Sequence, residues 1–369
     1  MTDNSQGSLD TERGGEMAKH GTDRPVDRWD ERAGKGVPNL SVVIPTLNRP
    51  DSLRACLSSL EGQTMGDFEV LIIDGGPGKE TRAVIEEFSQ RVPICLETYG
   101  GGLVSSANRG LGLARGKIVS RIDDDVVLSP GWAAAVVSTF EADRTVGGVS
   151  GPTIIPEEFQ EGRDLIYFNR RISEARGFIW RILKRIYHGF FMEGEPLAVG
   201  RFFRSGAFSL GSNFKKSSSL AGPIQVDYLE ACNMSMRRDL VEQVGGFDPK
   251  YVGVGEYHEP DMAFKIKKIG YRLVFNPEAQ LEHRPSVAGI FAARPKMYGR
   301  IQNFILFYYR HIRPDSLDKI VRFGLYLLFM NAYFIVKFAI TGNARVLGGI
   351  AGTLVGLVKY LPELSKSDV

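Results

Sequence analysis

Cysteine is scarce in this 369-residue chain: Cys56, Cys95 and Cys232 are the only three, far apart and without CxxC spacing. That spacing excludes a disulfide framework or a zinc ribbon, and isolated thiols of this kind read as reduced and buried in a cytosolic compartment. A strong charge of either sign is missing too. The net charge of +3 argues against a dedicated nucleic-acid binder, so none is expected as a partner, although local basic patches can still meet phosphates or anionic lipid headgroups. The first 36 residues lack an apolar h-region, so no secretory signal peptide is visible and the globular part is expected to face the cytosol. They hold six Lys/Arg against eight Asp/Glu with almost no apolar periodicity, which predicts a flexible polar tail over residues 1–37. The remainder is apolar enough for one large or two modest domains.

What is present is an alternation. Asn39 to Thr46 is a short β-branched run with Pro45 near its end, the pattern of a strand buried on both faces. Leu53, Cys56, Leu57 and Leu60 then recur at helical spacing, with Asp51 or Ser52 available as N-cap. A second strand, Phe68 to Ile73, ends at Asp74 and a Gly-Gly-Pro-Gly turn, before a helix around Thr81 to Phe88. A third, Ile94 to Glu97, leads through Gly100-Gly101-Gly102 into a helix from about Val104 to Ala114, and a fourth runs from Gly116 to Ile122. This order predicts an α/β chain with a parallel, doubly wound sheet. Ligands of such sheets bind beyond the carboxyl ends of the strands, where Thr46, Asp74 and the triplet Asp123-Asp124-Asp125 all fall.

Three adjacent carboxylates repel one another in a folded chain, and a divalent cation with oxygen ligands is one economical source of the missing positive charge. A solvated acidic turn before Pro130 is the other reading of the triplet.

From about Pro152 to Pro223 the alternation breaks down into an insertion rich in aromatic and basic residues. Between Arg163 and Lys216 there are eleven Lys/Arg and four Asp/Glu. Ile172 to Phe191 reads as a basic amphipathic helix, suited to a membrane surface or an anionic substrate, or else as a plain covering helix with a solvated basic face. Order returns with a strand over Val226 to Met236, a helix from Arg238 to Val244, and a turn at Gly245-Gly246-Phe247-Asp248. A helix after Glu259-Pro260-Asp261 is closed by Gly270, and strands follow at Arg272 to Phe275 and Ala279 to His283. The last fifth is apolar. Phe323 to Val336 has no charge and continues past Lys337 to Thr341, and Val346 to Val358 is a second uncharged run. The first reaches membrane-spanning length only if Lys337 snorkels, and the second is short for a span; helices packed tightly on the catalytic unit are the alternative.

In order and spacing, Ser41-Val42-Val43-Ile44-Pro45-Thr46, Ile72-Ile73-Asp74-Gly75-Gly76, Ser106-Ala107-Asn108-Arg109-Gly110, Ile122-Asp123-Asp124-Asp125 and Val244-Gly245-Gly246-Phe247-Asp248 resemble the family-2 glycosyltransferases of GT-A fold. The resemblance runs from about Asn39 to His283. It implies a GT-A domain over 38–290 containing the 152–223 insertion, followed by a helical, membrane-associated region over 291–369. It further implies Mg²⁺ or Mn²⁺ held against the diphosphate of a UDP-, GDP- or dTDP-sugar. Asp125 and His283 are the expected ligands, Asp124 the contact to ribose or a metal-bound water, and Asp123 a support of the turn. Asp74 is expected to contact the nucleobase or ribose in a pocket lined by Pro45 and Thr46, with Asn108 and Arg109 on phosphate or ribose. In the far half, Glu259 is the expected base toward the acceptor hydroxyl with Asp261 as its neighbour, and His258 a weaker acceptor contact.

Two departures fall in the donor half: Ala107 where relatives usually carry Arg, and Gly75-Gly76-Pro77 where Asp/Asn-Gly-Ser is usual. The expected activity is inverting transfer to an acceptor hydroxyl, on a lipid-linked or cell-surface glycan at the cytosolic membrane face. Transfer onto a polyprenyl phosphate and an inactive membrane-tethered scaffold that keeps the nucleotide pocket are the alternatives. A nucleotidyltransferase would need a Gly-rich basic loop after the first strand, and only Arg49 stands there.

Overall fold

Strand β1, Leu40–Thr46, is buried at every position because apolar layers cover both faces of its sheet. Leu40, Val42 and Ile44 point into one layer, and Val43 into the other. The computed structural model describes residues 36–76, 78–160, 164–174, 176–285 and 297–366. All but the last two residues of the expected polar tail lie outside them.

The first half follows the predicted alternation. Helix α1 (Pro50–Glu61), β2 (Phe68–Asp74), α2 (Lys79–Phe88), β3 (Ile94–Thr98), α3 (Leu103–Leu113) and β4 (Ile118–Ile122) build parallel pairs β1–β2, β2–β3 and β1–β4. The expected cap by Asp51 or Ser52 is not used. Pro50 opens α1, where its missing N–H costs nothing, and Arg49 precedes it with its side chain directed elsewhere.

After β4 come β5 (Val126–Leu128), α4 (Trp132–Ala142), β6 (Val146–Ser150), β7 (Thr153–Ile154), α5 (Asp164–Glu174) and α6 (Phe178–Lys184). The last stretch of the chain forms β8 (Ile224–Gln225), β9 (Asn233–Arg237), α7 (Arg238–Gln243), α8 (His258–Lys268), β10 (Arg272–Phe275), β11 (Leu281–His283), α9 (Met297–Phe307), α10 (Leu317–Thr341) and α11 (Gly348–Lys359). The main sheet has the order β3-β2-β1-β4-β9-β6-β10-β8, and a smaller one the order β5-β11-β7. The chain leaves β1 toward β2 and β3, then jumps back to β4 on the other side. Between β1 and β4 lies the switch point where such sheets open a ligand crevice. The GT-A-type mixed sheet, mostly parallel, is thus the observed fold.

Two expectations are corrected. The strand predicted over Val226 to Met236 is split, because the segment before Asn233 is tied to the insertion. Asp227 accepts from the Phe202 amide at 3.1 Å, and the Tyr228 hydroxyl donates to the Ser209 carbonyl at 2.9 Å. The single helix predicted over Ile172 to Phe191 is broken at Gly177, whose φ of +113° no helix accommodates. It resumes as α6 and a π-helical turn, Arg185–Phe191.

A third apolar core joins the insertion to the C-terminal helices. Ile172, Tyr187, Phe191 and Phe203 pack with Phe304, Tyr308, Phe323 and Tyr326. Helices α9 and α11 meet along Gly348, Gly352 and Gly356, and a Cβ on Gly352 would lie 2.4 Å from the Tyr298 carbonyl oxygen. Replacing Gly352 with Val is therefore expected to force the helices apart and cost about 1–3 kcal/mol. Urea unfolding measures this, and an unchanged midpoint would contradict the packing.

Candidate active site

Register brings the site together. Thr46 of β1 pairs with Asp74 of β2. Ile122, the last residue of β4, pairs with Asn233 at the start of antiparallel β9, so Cys232 and Ala231 lie against the triplet. His283 pairs with Val126 in β11–β5, and the Arg284 amide donates to the Asp125 carbonyl at 2.8 Å. Asp125 and His283, 158 positions apart in the numbering, are neighbours for that reason.

The positive charge that the triplet demands is supplied first by two arginines. Arg49 Nε donates to Asp124 Oδ2 at 3.0 Å and Nη1 to Asp125 Oδ2 at 3.0 Å, while Nη2 pairs with Asp124 Oδ1. Arg121, 1% exposed in its side chain, puts Nη2 2.8 Å from Asp123 Oδ1 and Nη1 3.5 Å from Glu259 Oε1. Nη1 also donates to the Ala231 carbonyl at 2.5 Å. Burial works against the charge on Arg121, but Asp123 and Glu259 outweigh it and raise its pKa. Asp124 is fully buried, and the Thr46 hydroxyl donates to it at 2.6 Å. Burial pushes its carboxyl up to about 7, with Asp125 adding to the rise and Arg49 and Thr46 opposing it.

The donors around His283 suit a divalent ion. His283 Nε2 and Asp125 Oδ1 stand 3.3 Å apart, close to the roughly 3 Å separation of two ligands set at right angles about 2.1 Å from one ion. An Asp123 carboxylate oxygen, a His283 ring nitrogen and Cys232 Sγ all lie within 4.8 Å of one another. Burial, then Asp123, pushes the Cys232 thiol well above its usual range, so sulfur stands there as a neutral thiol. Oxygen and nitrogen donors fit hard Mg²⁺ or Mn²⁺.

Glu259 and Asp261 both lie in the first turn of α8 but two positions apart, on opposite faces. Glu259 faces Arg121 and is 7% exposed. Burial raises its pKa, yet His258, with Nδ1 3.0 Å from Oε2, and Arg121 bring it down to about 2. His258 is wholly buried, its Nδ1 2.6 Å from the Gly255 carbonyl oxygen, so it positions Glu259 and does not face an acceptor. Among the described residues, two of the four non-glycine residues with positive φ, Asn48 and Tyr257, come directly before Arg49 and His258. Backbone strain of this kind collects where a structure must hold a side chain in place.

Several expected site residues point elsewhere. Asp261 is enclosed by Tyr251 Oη at 3.0 Å, His311 Nε2 at 2.8 Å, Lys265 Nζ at 2.7 Å and Arg310 Nη1 at 3.3 Å. It ties α8 to the π-helical turn Tyr308–Ile312, on the face away from Glu259. Asn108 spends both ends of its amide on the Phe247 backbone, accepting from N and donating to O at 2.8 Å each, and so fixes the Gly245-Gly246 turn. Arg109 is paired with Glu97 at 2.7 Å on the outside of α3. Pro45 lies buried in β1 opposite Ile73. Asp74 accepts from the Gly76 amide at 3.0 Å, and its pKa is raised, chiefly by burial.

Residues 41–208 match the model of the family described as Glycosyl transferase family 2. The chain is 27% identical over 261 residues to the uncharacterized protein y4gI of Sinorhizobium fredii, covering 69% of this chain but only 25% of that protein. It is 24% identical over 254 residues to the glucosyl-dolichyl phosphate glucuronosyltransferase of Haloferax volcanii, covering 66% and 69% of the two chains. In fold it is similar to residues 1–349 of TarS from S. aureus, solved in complex with UDP-GlcNAc, with a TM-score of 0.53 and 13% identity over 88% and 81% of the two chains. Residues 41–208 therefore carry a glycosyl transferase family 2 domain.

The two arginines were not foreseen as site residues. Arg121 had a signal, since a cation in the middle of a strand buried on both faces must meet an anion. Arg49 and Cys232 had none, because their neighbours come from strands far off in sequence.

The Asp261 cluster yields a stability test. Burial raises the pKa of this carboxyl, but His311 and Lys265 prevail and hold it well below the usual range. Its stabilisation is therefore complete above the unfolded-chain pKa of about 4 and is lost as pH falls below that toward the folded value. Asp261→Asn is expected to cost about 3–5 kcal/mol at neutral pH. In urea titrations the gap to the wild type should stay flat near neutrality and narrow below about pH 4; a gap that widens in acid would contradict the assignment.

Proposed function

We propose that the chain transfers a sugar from a nucleoside-diphosphate sugar to an acceptor hydroxyl with inversion at the anomeric carbon. One observation carries this reading. Arg121 binds Glu259 and Asp123 at once, so a carboxylate able to take the acceptor's proton and the acidic group facing a departing diphosphate flank one opening. The UDP-GlcNAc held by TarS supports a nucleotide-sugar donor, and the glucosyl-dolichyl phosphate in the name of the Haloferax relative supports a lipid-linked acceptor.

In this mechanism Thr46 and Asp74, adjacent across β1 and β2, line the nucleotide pocket. Asp125 and His283, with Asp123 beside them, would hold Mg²⁺ or Mn²⁺, which when bound neutralises charge growing on the diphosphate. Glu259 is kept ionised by Arg121 and His258 and accepts the proton as the acceptor oxygen bonds to the anomeric carbon. The electron pair of the broken bond leaves with the diphosphate, and a single displacement inverts the carbon. Asp124 holds Thr46 and Arg49 in place without reaching the crevice.

We infer that the acceptor lies at the cytosolic face of a membrane. Helix α10 is, among the described residues, the one helix long and apolar enough to cross a bilayer. Phe323, Tyr326, Leu327 and Phe334 pack inward while Leu328, Ile335 and Val336 are exposed, which supports a helix lying on the membrane over one crossing it. On α6, Phe178, Ile179 and Ile182 are exposed beside Arg181 and Lys184. A second acceptor, a polyprenyl phosphate, is favoured by the low pKa of Glu259: a carboxylate held at about 2 is a weak base, and an ionised phosphate needs none.

Metal-dependent hydrolysis of a panel of nucleotide sugars, followed by transfer to hydroxyl and phosphate acceptors, tests the reading. Asp125→Asn should abolish donor turnover. Glu259→Gln should lower transfer to a hydroxyl by about 10²–10⁴-fold while donor binding by calorimetry is kept; full activity in both variants would end the proposal. Arg49→Met, which strips Asp124 and Asp125 of their counter-ion, should cost about 3–5 kcal/mol in metal-free buffer. Mn²⁺ should restore part of that and raise the variant's melting temperature more than the wild type's; an equal response would show that the ion does not bind at these carboxylates.

A further inference from the structure

A cavity of about 760 Å³ lies between the loop before α8 and the helices α9 and α11, away from the carboxylate crevice. Its walls include Val254, Glu256, Arg300, Arg345, Val355 and Lys359. Three cations face one carboxylate there, a net positive lining. Among the described residues, the Arg300 and Arg345 guanidinium groups have no ion-pair partner, and Lys359 Nζ meets no carboxylate, only the neutral Gln302 amide oxygen at 3.3 Å and the face of the Tyr360 ring at 4.9 Å. Cations on a folded surface usually find a carboxylate or stand apart in water. Three cations lining one open pocket against a single carboxylate leave a net positive surface suited to an anion brought from outside.

The rest of the surround is apolar. Leu354, Val355 and Val358, spaced one and four positions along α11, are 65%, 40% and 71% exposed and form a stripe leading away from the cations. A ligand that satisfies both parts has a phosphate head and a hydrocarbon tail. The loop also reaches the reaction centre: Val252 is clamped by the Asn303 side chain at 3.0 and 2.9 Å, and three residues on, Gly255 offers its carbonyl to His258, the partner of Glu259. A head held by Arg300, Arg345 and Lys359 therefore sits on the loop that orients the base.

We infer that this cavity binds the phosphate link of a lipid-linked acceptor glycan, whose polyisoprenyl chain lies along the α11 stripe while its sugar hydroxyl reaches the donor crevice. The inference rests on the reading of the acceptor as lipid-linked. It assigns Arg300, Arg345 and Lys359 to acceptor binding, separate from the donor crevice.

The test uses the full chain and vesicles of phosphatidylcholine alone, of phosphatidylcholine with a polyisoprenyl monophosphate, and of phosphatidylcholine with phosphatidylglycerol at matched charge. Binding is read by co-sedimentation. The wild type should bind the polyisoprenyl phosphate vesicles most tightly. The triple variant Arg300→Gln, Arg345→Gln, Lys359→Gln should lose roughly 100-fold of that affinity, from about 1 kcal/mol per cation. Its circular dichroism and metal-dependent donor hydrolysis should match the wild type, and Arg345→Gln alone should show a smaller loss. Equal binding to both anionic vesicles, or an unchanged triple variant, overturns the inference. Absent donor hydrolysis in the wild type would instead strike the proposed activity and leave the vesicle result standing, so the two failures are distinguishable.

Discussion

Four buried carboxylates, Asp123, Asp124, Asp125 and Glu259, crowd together only because Arg49 and Arg121 stand among them. At an effective dielectric of about 20, two unit charges 4 Å apart interact by roughly 4 kcal/mol, and a domain's whole net stability is about 5–15 kcal/mol. Unopposed, the triplet alone would threaten the fold. The two guanidinium groups split the neutralisation between them. Arg49 takes the face of the triplet toward α1, and Arg121 the face toward α8. Because Arg121 binds one acid from each half, Asp123 and Glu259, it holds the two halves of the crevice at a fixed separation.

A second charged cluster does for the C-terminal helices what the arginines do for the crevice. Asp261 leaves α8 on the face opposite Glu259 and meets Tyr251, Arg310 and His311, while Arg310 also reaches Asp248 at 2.7 Å and Glu363 at 2.9 Å. The helix that carries the proposed base is therefore gripped from both sides. The C-terminal helices belong to the mechanics of the site, since without them Asp261 would lose His311 and Arg310 and keep only Lys265 and Tyr251. Their apolar outer faces then lie at a fixed distance from Glu259.

Much of this was legible in the chain as written. Strands buried on both faces announce themselves as continuous apolar runs, so β1, β2 and β4 and the acids at their ends followed from periodicity. The pairing of Asp125 with His283 followed from resemblance alone, because the antiparallel register of β11 on β5 leaves no local mark. The direction of Asp261 was hidden for a geometric reason. Once α8 begins at His258, two acids two positions apart must face opposite ways, but that start is set by the left-handed Tyr257, not by a cap visible in sequence. The bonding of Asn108 to Phe247 left no local mark either, since the two are 139 positions apart in the sequence.

The low basicity of Glu259 is the sharpest constraint on the chemistry. Its pKa of about 2 reflects His258 and Arg121 prevailing over burial, so any group that enters and draws Arg121 toward itself weakens that hold. An acceptor or diphosphate competing for Arg121 would raise the carboxylate's affinity for a proton when an acceptor hydroxyl is present to give one. The resting ion pair then keeps Glu259 ionised and ordered, and substrate entry releases its basicity. On this argument Arg121 belongs to the chemistry as much as to the fold: it couples the donor side at Asp123 to the base, and losing it would disturb both ends together.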